Sequence, residues 1–114
     1  MMILIAGPYR SGTDGDPDRI AANLERLEEA SAPIYRLGHV PMIGEWVALP
    51  ILRNLDEQES ETGDVMYETA SRLLQHCDAV LRLPGDSIGA DKDVEIARER
   101  GLSVYSSIDE IPPR

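Results

Sequence analysis

Aromatic residues are scarce in this chain. Phenylalanine is absent and aromatic residues make up 4% of the sequence, whereas hydrophobic residues make up 42%. A core of ordinary size is therefore possible, but it must be built from aliphatic side chains. The length of 114 residues fits one domain and leaves no room for two. We predict a single domain over residues 1–114.

Cysteine and long apolar runs are also nearly missing. Cys77 is the one cysteine, so no disulfide can form within the chain. This usage is typical of a reducing compartment, and we expect a cytoplasmic location. The apolar run at residues 2–6 is too short for a signal peptide and lacks the basic start of one. No stretch approaches the length of a membrane span, so we expect no membrane partner.

Basic residues are outnumbered by acidic ones. Eleven Lys and Arg face 21 Asp and Glu, which gives a net charge of −10. Such a balance repels the phosphates of DNA and RNA, and we expect no nucleic acid polymer as a partner. The simplest function of the acidity is solubility. A small anion can still bind locally, at a helix N-terminus or beside one Arg.

Short apolar runs alternate with helical patterns along the chain. The predicted strands are residues 2–6, 40–43, 79–83 and 102–105. A helix capped by Asp16 is predicted to run to about residue 37, with Pro33 kinking or splitting it. Residues 44–63 are predicted as a short apolar helix followed by a solvated acidic loop. Two more helices are predicted, over residues 64–76 and from the end of the loop 84–90 to about Gly101.

This alternation predicts an α/β fold with a parallel sheet and helices on both of its faces. Ligands of such sheets bind beyond the carboxyl ends of the strands. The loops at that edge are residues 7–16, 44–63 and 84–90. Groups that bind a ligand are therefore expected in these three loops.

The first loop combines two glycines with polar side chains. Gly7 and Gly12 allow backbone N–H groups to approach a ligand, and Arg10 and Ser11 add hydrogen-bond donors. The loop has neither the glycine spacing of a dinucleotide site nor the Gly-Lys-Ser/Thr end of a Walker loop. An ordinary strand-to-helix turn explains the pattern equally well.

The third loop and its helix offer hydroxyl and carboxylate groups. Ser87 and Gly89 open the helix, and Asp91, Asp93 and Glu95 follow within two turns. Acids at this place are favoured by the helix dipole alone. The functional interpretation is that one carboxylate faces the cleft as nucleophile or base. Asp93 and Glu95 lie about 200° apart around the helix axis, so both cannot point into one cleft.

Metal ligands are not indicated. His39, His76 and Cys77 lack the spacing of a metal site, and we expect neither a metal nor a cofactor. A serine hydrolase is not indicated either, because no Ser lies in a Gly-x-Ser-x-Gly turn.

Several short motifs occur in an order that resembles a known family. They are Ile5-Ala6-Gly7-Pro8-Tyr9-Arg10, Asn23, Gly38-His39-Val40, Cys77-Asp78-Ala79-Val80, Leu83-Pro84-Gly85 and Ser87-x-Gly89-Ala90. Over nearly its whole length the chain resembles the nucleoside 2-deoxyribosyltransferase superfamily, and more closely the short, mostly uncharacterised bacterial and phage members. The resemblance implies a flavodoxin-like (Rossmann-like) three-layer sandwich with a parallel sheet of four to five strands.

The resemblance also implies a site for N-glycosidic bond chemistry. It assigns the nucleophile to Asp93, or to Glu95 if the register differs, and phosphate contact to Ser87 and the first loop. The predicted substrate-binding residues are Gly7, Tyr9, Arg10, Ser11, Gly12, Trp46, Ser87 and Gly89, with Tyr9 or Trp46 stacking on the base or sugar. Two positions depart from the family: Asp93 stands where characterised members have Glu, and Ala70 where they have Asp.

Three functions are compatible with these features. The first is a hydrolase or deoxyribosyltransferase that acts on a nucleoside or nucleoside 5′-monophosphate through a carboxylate nucleophile. The second is an inactive nucleotide- or phosphosugar-binding module of the same fold. The third is a scaffold, and it rests only on the apolar segment 46–55, which we expect to form the interface of a homodimer or higher homo-oligomer.

Overall fold

Four strands form one parallel sheet at the centre of the molecule. A computed structural model describes residues 1–62 and 64–114, with the side chains of all of these except residues 60–62. The strands are β1 (Met2–Ala6), β2 (Val40–Ile43), β3 (Ala79–Arg82) and β4 (Ser103–Tyr105). Their order in the sheet is β2-β1-β3-β4, and every neighbouring pair is parallel. The predicted α/β, flavodoxin-like class is confirmed.

Side chains of β1 alternate between two cores. Ile3 and Ile5 belong to the core on one face of the sheet, whereas Leu4 and Ala6 belong to the core on the other. Both cores are aliphatic, because a strand buried on both faces needs apolar residues at every position. The same alternation in β3 places Leu81 on the first face. It therefore directs Arg82 to the second.

Helices cover both faces and give three layers. They are α1 (Pro17–Glu29), α2 (Ser31–Arg36), α3 (Gly44–Asn54), α4 (Glu57–Thr62), α5 (Val65–Leu74) and α6 (Ile88–Glu99), and a short 3₁₀ helix spans Ile108–Glu110. The first core includes α1, α2 and Ile111, and the second includes α5 and α6. None of the helices in the described ranges has both the length and the apolarity needed to cross a membrane.

The start, the break and the end of the first helical segment are as predicted. The Asp16 side chain caps α1 by accepting the Asp18 N–H at 3.0 Å, and Pro17 takes the first helical position. The segment splits at Ala30, three residues before Pro33. Proline has no N–H to donate and crowds the carbonyl four residues back, so a continuous helix is disfavoured there. Gly38 ends α2 with a φ of +90°.

Two segments differ from the prediction. The acidic run was expected as a solvated loop, but residues 57–62 form α4; the end of that predicted loop, residue 63, lies outside the described residues. Glu and Gln favour helices, and Asp56 caps the turn by accepting the Glu59 N–H at 2.8 Å. The third loop was expected to extend to Ala90, but α6 begins at Ile88 because the Ser87 hydroxyl caps it.

Candidate functional site

A cleft of about 380 Å³ opens at the carboxyl end of β1. Its walls are the loop after β1 and the first turns of α3, α5 and α6, and Leu4 and Ala6 form part of its floor. This is the edge at which ligands of open parallel sheets bind. Its volume is in the range of small-molecule sites.

The loop after β1 presents a cation and a hydroxyl group to the cleft. Tyr9, Arg10 and Ser11 line it. Two side chains fix the backbone behind them: Asn23 Nδ2 donates to the Tyr9 carbonyl at 2.8 Å, and Thr13 Oγ1 donates to the Arg10 carbonyl at 2.6 Å. Within the part of the chain that the structure describes, the Arg10 guanidinium forms no ion pair. The arrangement suits an anionic ligand.

The two predicted glycines of this loop differ in role. Gly7 lines the cleft, and a Cβ there would lie 3.1 Å from Leu27 Cδ2 and 3.2 Å from Leu83 Cβ. Glycine therefore lets the loop lie close to α1 and to the end of β3. Gly12 is not among the residues that line the cleft; its φ of +72° and the open space around it mark it as a turn residue.

The start of α6 forms the opposite wall. The Ser87 hydroxyl accepts the Ala90 N–H at 3.1 Å, and a hydroxyl in this role still has a hydrogen to donate. Ser87 is 9% exposed and lines the cleft with Gly89. A Cβ at Gly89 would lie 2.9 Å from Cε1 of Tyr67, so the absence of a side chain admits the Tyr67 ring. Lys92 Nζ lies 4.3 Å from the centre of the same ring.

Asp93 projects from α6 into the cleft. Burial raises the pKa of its carboxyl group from 3.8 to about 7; the negative charge of Glu45 adds to the rise, and the positive charge of Arg82 opposes it. Arg82 approaches α6 from β3, where its Nη2 lies 2.9 Å from Oδ1 of Asp91. Asp93 is therefore a carboxyl group that exchanges a proton near neutral pH.

Glu45 lines the same cleft from the first turn of α3, and sequence reasoning missed it. Burial raises its pKa, while a hydrogen bond from its own backbone N–H lowers it. The sequence position of Glu45 could have indicated a site residue, because Glu45 follows β2 within a loop predicted to face the ligand. Asp64 and Tyr67, at the start of α5, are further lining residues that the sequence did not single out.

Besides Gly12, two predicted site residues are not brought to the cleft. Trp46 follows Glu45 directly, and successive residues on a helix point about 100° apart. Its Nε1 donates to Glu28 Oε2 at 2.8 Å at the surface. Glu95 lies on the far side of α6, in a shallow groove with Arg98. Asp93 and Glu95 therefore lie on different sides of α6, as helical geometry predicts, and of the two only Asp93 lines the cleft.

The cleft offers proton transfer and anion binding. Three carboxyl groups line it, from Glu45, Asp64 and Asp93, together with the Arg10 guanidinium and the hydroxyl groups of two serines and two tyrosines. Among the described residues, no three side chains of His, Cys, Asp and Glu come together as a metal site. Both ring nitrogens of His39 are engaged elsewhere, with the Met1 amine and the Pro112 carbonyl. No protein-family model matches the chain, and no curated protein matches it.

Proposed function

We propose that this protein cleaves the N-glycosidic bond of a nucleoside or nucleoside 5′-monophosphate, releasing the base to water or exchanging it for another. The observation that carries the proposal is the position of the Asp93 carboxyl group in the same cleft as Arg10, Ser11 and Ser87. The cleft thus supplies both donors for a phosphate and a carboxylate for C1′ of the sugar. The resemblance to the nucleoside 2-deoxyribosyltransferase superfamily points to the same substrate class.

The chemistry of the bond favours a carboxylate. A glycosyl transition state resembles an oxocarbenium ion, so a negative charge beside C1′ stabilises it, and a carboxylate oxygen can bond to C1′. Asp93 is half ionised at about pH 7. Tyr9 and Tyr67 offer aromatic surfaces for the base or the sugar.

The second candidate is an inactive binding module of the same fold. Ala70 lines the cleft at a position where the resemblance implies an Asp that assists the leaving base. Asp93 is also one methylene shorter than the Glu of characterised members, and a displacement on the order of 1 Å costs roughly a hundredfold in rate. A binding module needs only Arg10, Ser11 and Ser87.

Base release separates the two candidates. The protein is incubated with ribo- and deoxyribonucleosides and their 5′-monophosphates, and free base is measured by chromatography. We expect release that is faster with a 5′-monophosphate, is lost in Asp93→Ala and is kept in Glu95→Gln, whose side chain lies outside the cleft. Thermal stabilisation by a nucleotide without release would instead establish the binding module. Neither release nor stabilisation would contradict both.

The partner predictions that accompany this function are a small nucleoside or nucleotide, a cytoplasmic location and a homodimer or higher homo-oligomer. Segment 46–55 now corresponds to most of α3, and Trp46 and Ile51 are its exposed large apolar residues. Sedimentation velocity tests the assembly. A protein that is monomeric at roughly 50 μM would contradict a homo-oligomer with a dissociation constant below that concentration.

A further inference from the structure

We propose that Glu45 is a second catalytic carboxyl group, which gives a proton to the leaving base and later takes one from water while Asp93 bonds to C1′. This inference rests on the proposed function and assigns a residue that neither the sequence motifs nor the resemblance indicated. Asp93 by itself supplies only the nucleophile of the reaction. The reaction also needs a group that moves protons, and Glu45 is placed to do this.

The two carboxyl groups enter the cleft from different elements. Asp93 comes from α6, beyond β3, and Glu45 from α3, directly beyond β2; β1 lies between these strands. Ile43, the last residue of β2, pairs with Ile5 in register, so α3 begins beside the end of β1. A sugar held above the end of β1 therefore lies between the two groups.

Small residues line the cleft near the start of α3. A Cβ at Gly44 would lie 3.8 Å from the Ala70 Cβ, so α3 and α5 approach each other through small side chains. Ala6 and Ala90 also line the cleft. Glu45 lines the cleft from the first turn of α3, next to these small residues.

The electrostatic setting favours one proton on the pair. Burial disfavours both charges, and the charge of Glu45 raises the pKa of Asp93. With Glu45 charged, the single proton of the pair lies mainly on Asp93, so it has to pass to Glu45 before Asp93 can attack C1′. The other titratable or charged groups around Asp93 are Tyr9, Arg10, Asp64 and Tyr67 in the cleft and Arg82 from β3.

The proposed reaction has two steps. In the first step an Asp93 carboxylate oxygen bonds to C1′, the C1′–N bond breaks with its electron pair passing to the base, and protonated Glu45 gives the base its proton. In the second step the Glu45 carboxylate takes a proton from water, the water oxygen bonds to C1′, and the bond from C1′ to Asp93 breaks. The products are the free base and the sugar, and both carboxyl groups return to their starting states.

The activity test compares leaving groups in Glu45→Gln. With the best nucleoside or nucleotide of the base-release panel, we expect a loss of roughly 10²- to 10⁴-fold, the usual contribution of a positioned acid. With a 4-nitrophenyl glycoside of the same sugar, whose leaving group needs no proton, we expect a fast burst of nitrophenolate. Turnover then follows slowly, and azide accelerates it because azide attacks C1′ without a base. Glu99→Gln removes an equal charge from the exposed end of α6 and should behave as wild type.

A second test needs no substrate. Carboxyl groups are titrated by ¹³C NMR in wild type, Glu45→Gln and Glu99→Gln. We expect the midpoint of Asp93 to lie near 7 in wild type and Glu99→Gln and to fall in Glu45→Gln, because the neighbouring charge is gone. An unchanged midpoint in Glu45→Gln would overturn the pairing.

The outcomes separate this inference from the proposed function. If wild type releases base and Asp93→Ala does not, but Glu45→Gln loses equal activity on both kinds of leaving group, only the role of Glu45 is wrong. If wild type releases no base from any substrate, the proposed function fails and the role of Glu45 fails with it.

Discussion

At the scale of single residues, the Asp93 carboxyl group opposes folding whenever it is charged. Its pKa is about 7 in the folded protein and close to the ordinary 3.8 in the unfolded chain. The folded state therefore holds the proton more tightly. The stability that this proton contributes is fully present below about pH 4 and is lost as the pH rises through about 7.

Asp93→Asn should remove this dependence, because an amide resembles the protonated acid and does not ionise. We expect the variant to be more stable than wild type at pH 8, on the order of 1–3 kcal/mol, and equal to it near pH 4. Urea unfolding at pH 4, 6 and 8 measures the difference. Glu95→Gln is the control on the same helix, and a difference for Asp93→Asn that does not change with pH would contradict the assigned pKa.

Gly85 and Gly101 both have positive φ angles but different surroundings. A Cβ at Gly85 would lie 2.7 Å from Pro8 Cγ, whereas nothing lies within 4 Å of a Cβ at Gly101. We expect Gly101→Ala to cost about 1 kcal/mol for the backbone conformation alone, and Gly85→Ala about 2–4 kcal/mol. Denaturant unfolding of both variants gives the comparison, and equal losses would show that the contact between the two loops is easily relieved.

Helical geometry alone predicts that Asp93 and Glu95 point in different directions, whereas the preference for Asp93 came from the family resemblance. Glu45 was not predicted, because it and Asp93 are brought together by strand order rather than by any local pattern. Trp46 shows the converse: its ring suggested stacking on a ligand, but its place next to Glu45 on a helix turns it towards Glu28.

At the scale of elements, α1 holds the loop that precedes it. Asn23 donates to the Tyr9 carbonyl, and this bond links α1 to the candidate anion site. Asn54 makes a bond of the same length, 2.8 Å, to the Pro50 carbonyl, but within α3 and at the surface. The two asparagines are therefore a matched pair for testing the loop.

Asn23→Ala should lower the free energy of unfolding by about 1 kcal/mol and weaken nucleotide binding roughly fivefold, because the loop loses a fixed conformation. Asn54→Ala should cost less than about 0.5 kcal/mol and leave binding unchanged. Calorimetric titration with a nucleoside 5′-monophosphate measures both affinities. If the two variants bind alike, the position of the Tyr9 carbonyl does not matter for the site.

The start of α1 and the break before α2 were well predicted because caps and prolines act locally. Asp16, Pro17 and Pro33 determine the ends of α1 and the break before α2 through bonds within a few residues. Helix α4 was missed because an acidic run at the surface is typical of both loops and helices. The cap by Asp56 decides between them there.

At the scale of the whole molecule, the net charge of −10 is a source of self-repulsion. Salt screens this repulsion, so raising NaCl from about 10 mM to about 300 mM at pH 8 should raise the Tm by roughly 2–5 °C. At pH 4.5, where many carboxyl groups are protonated, the rise should be smaller. Differential scanning calorimetry tests this, and an equal rise at both pH values would assign the effect to hydrophobic rather than electrostatic forces.

The layered architecture followed from the alternation of strands and helices, since parallel neighbours require a crossover that covers one face. The position of each strand in the sheet did not follow from that alternation. The strand order depends on which face of the sheet α1 and α5 each cover. These faces are determined by side-chain packing between distant segments, which cannot be read from any one segment alone.

The central place of β1 also shapes how the chain folds. β1 pairs with β2 on one side, but its other neighbour is β3, and Ile3 meets Ala79 there. On the ribosome the first strand therefore leaves the exit tunnel long before its second partner is synthesised. Until then one edge of an apolar strand is uncovered, the state in which chains bind chaperones or aggregate. Contacts between such distant positions also make the closing of the sheet a slow event relative to the formation of the helices.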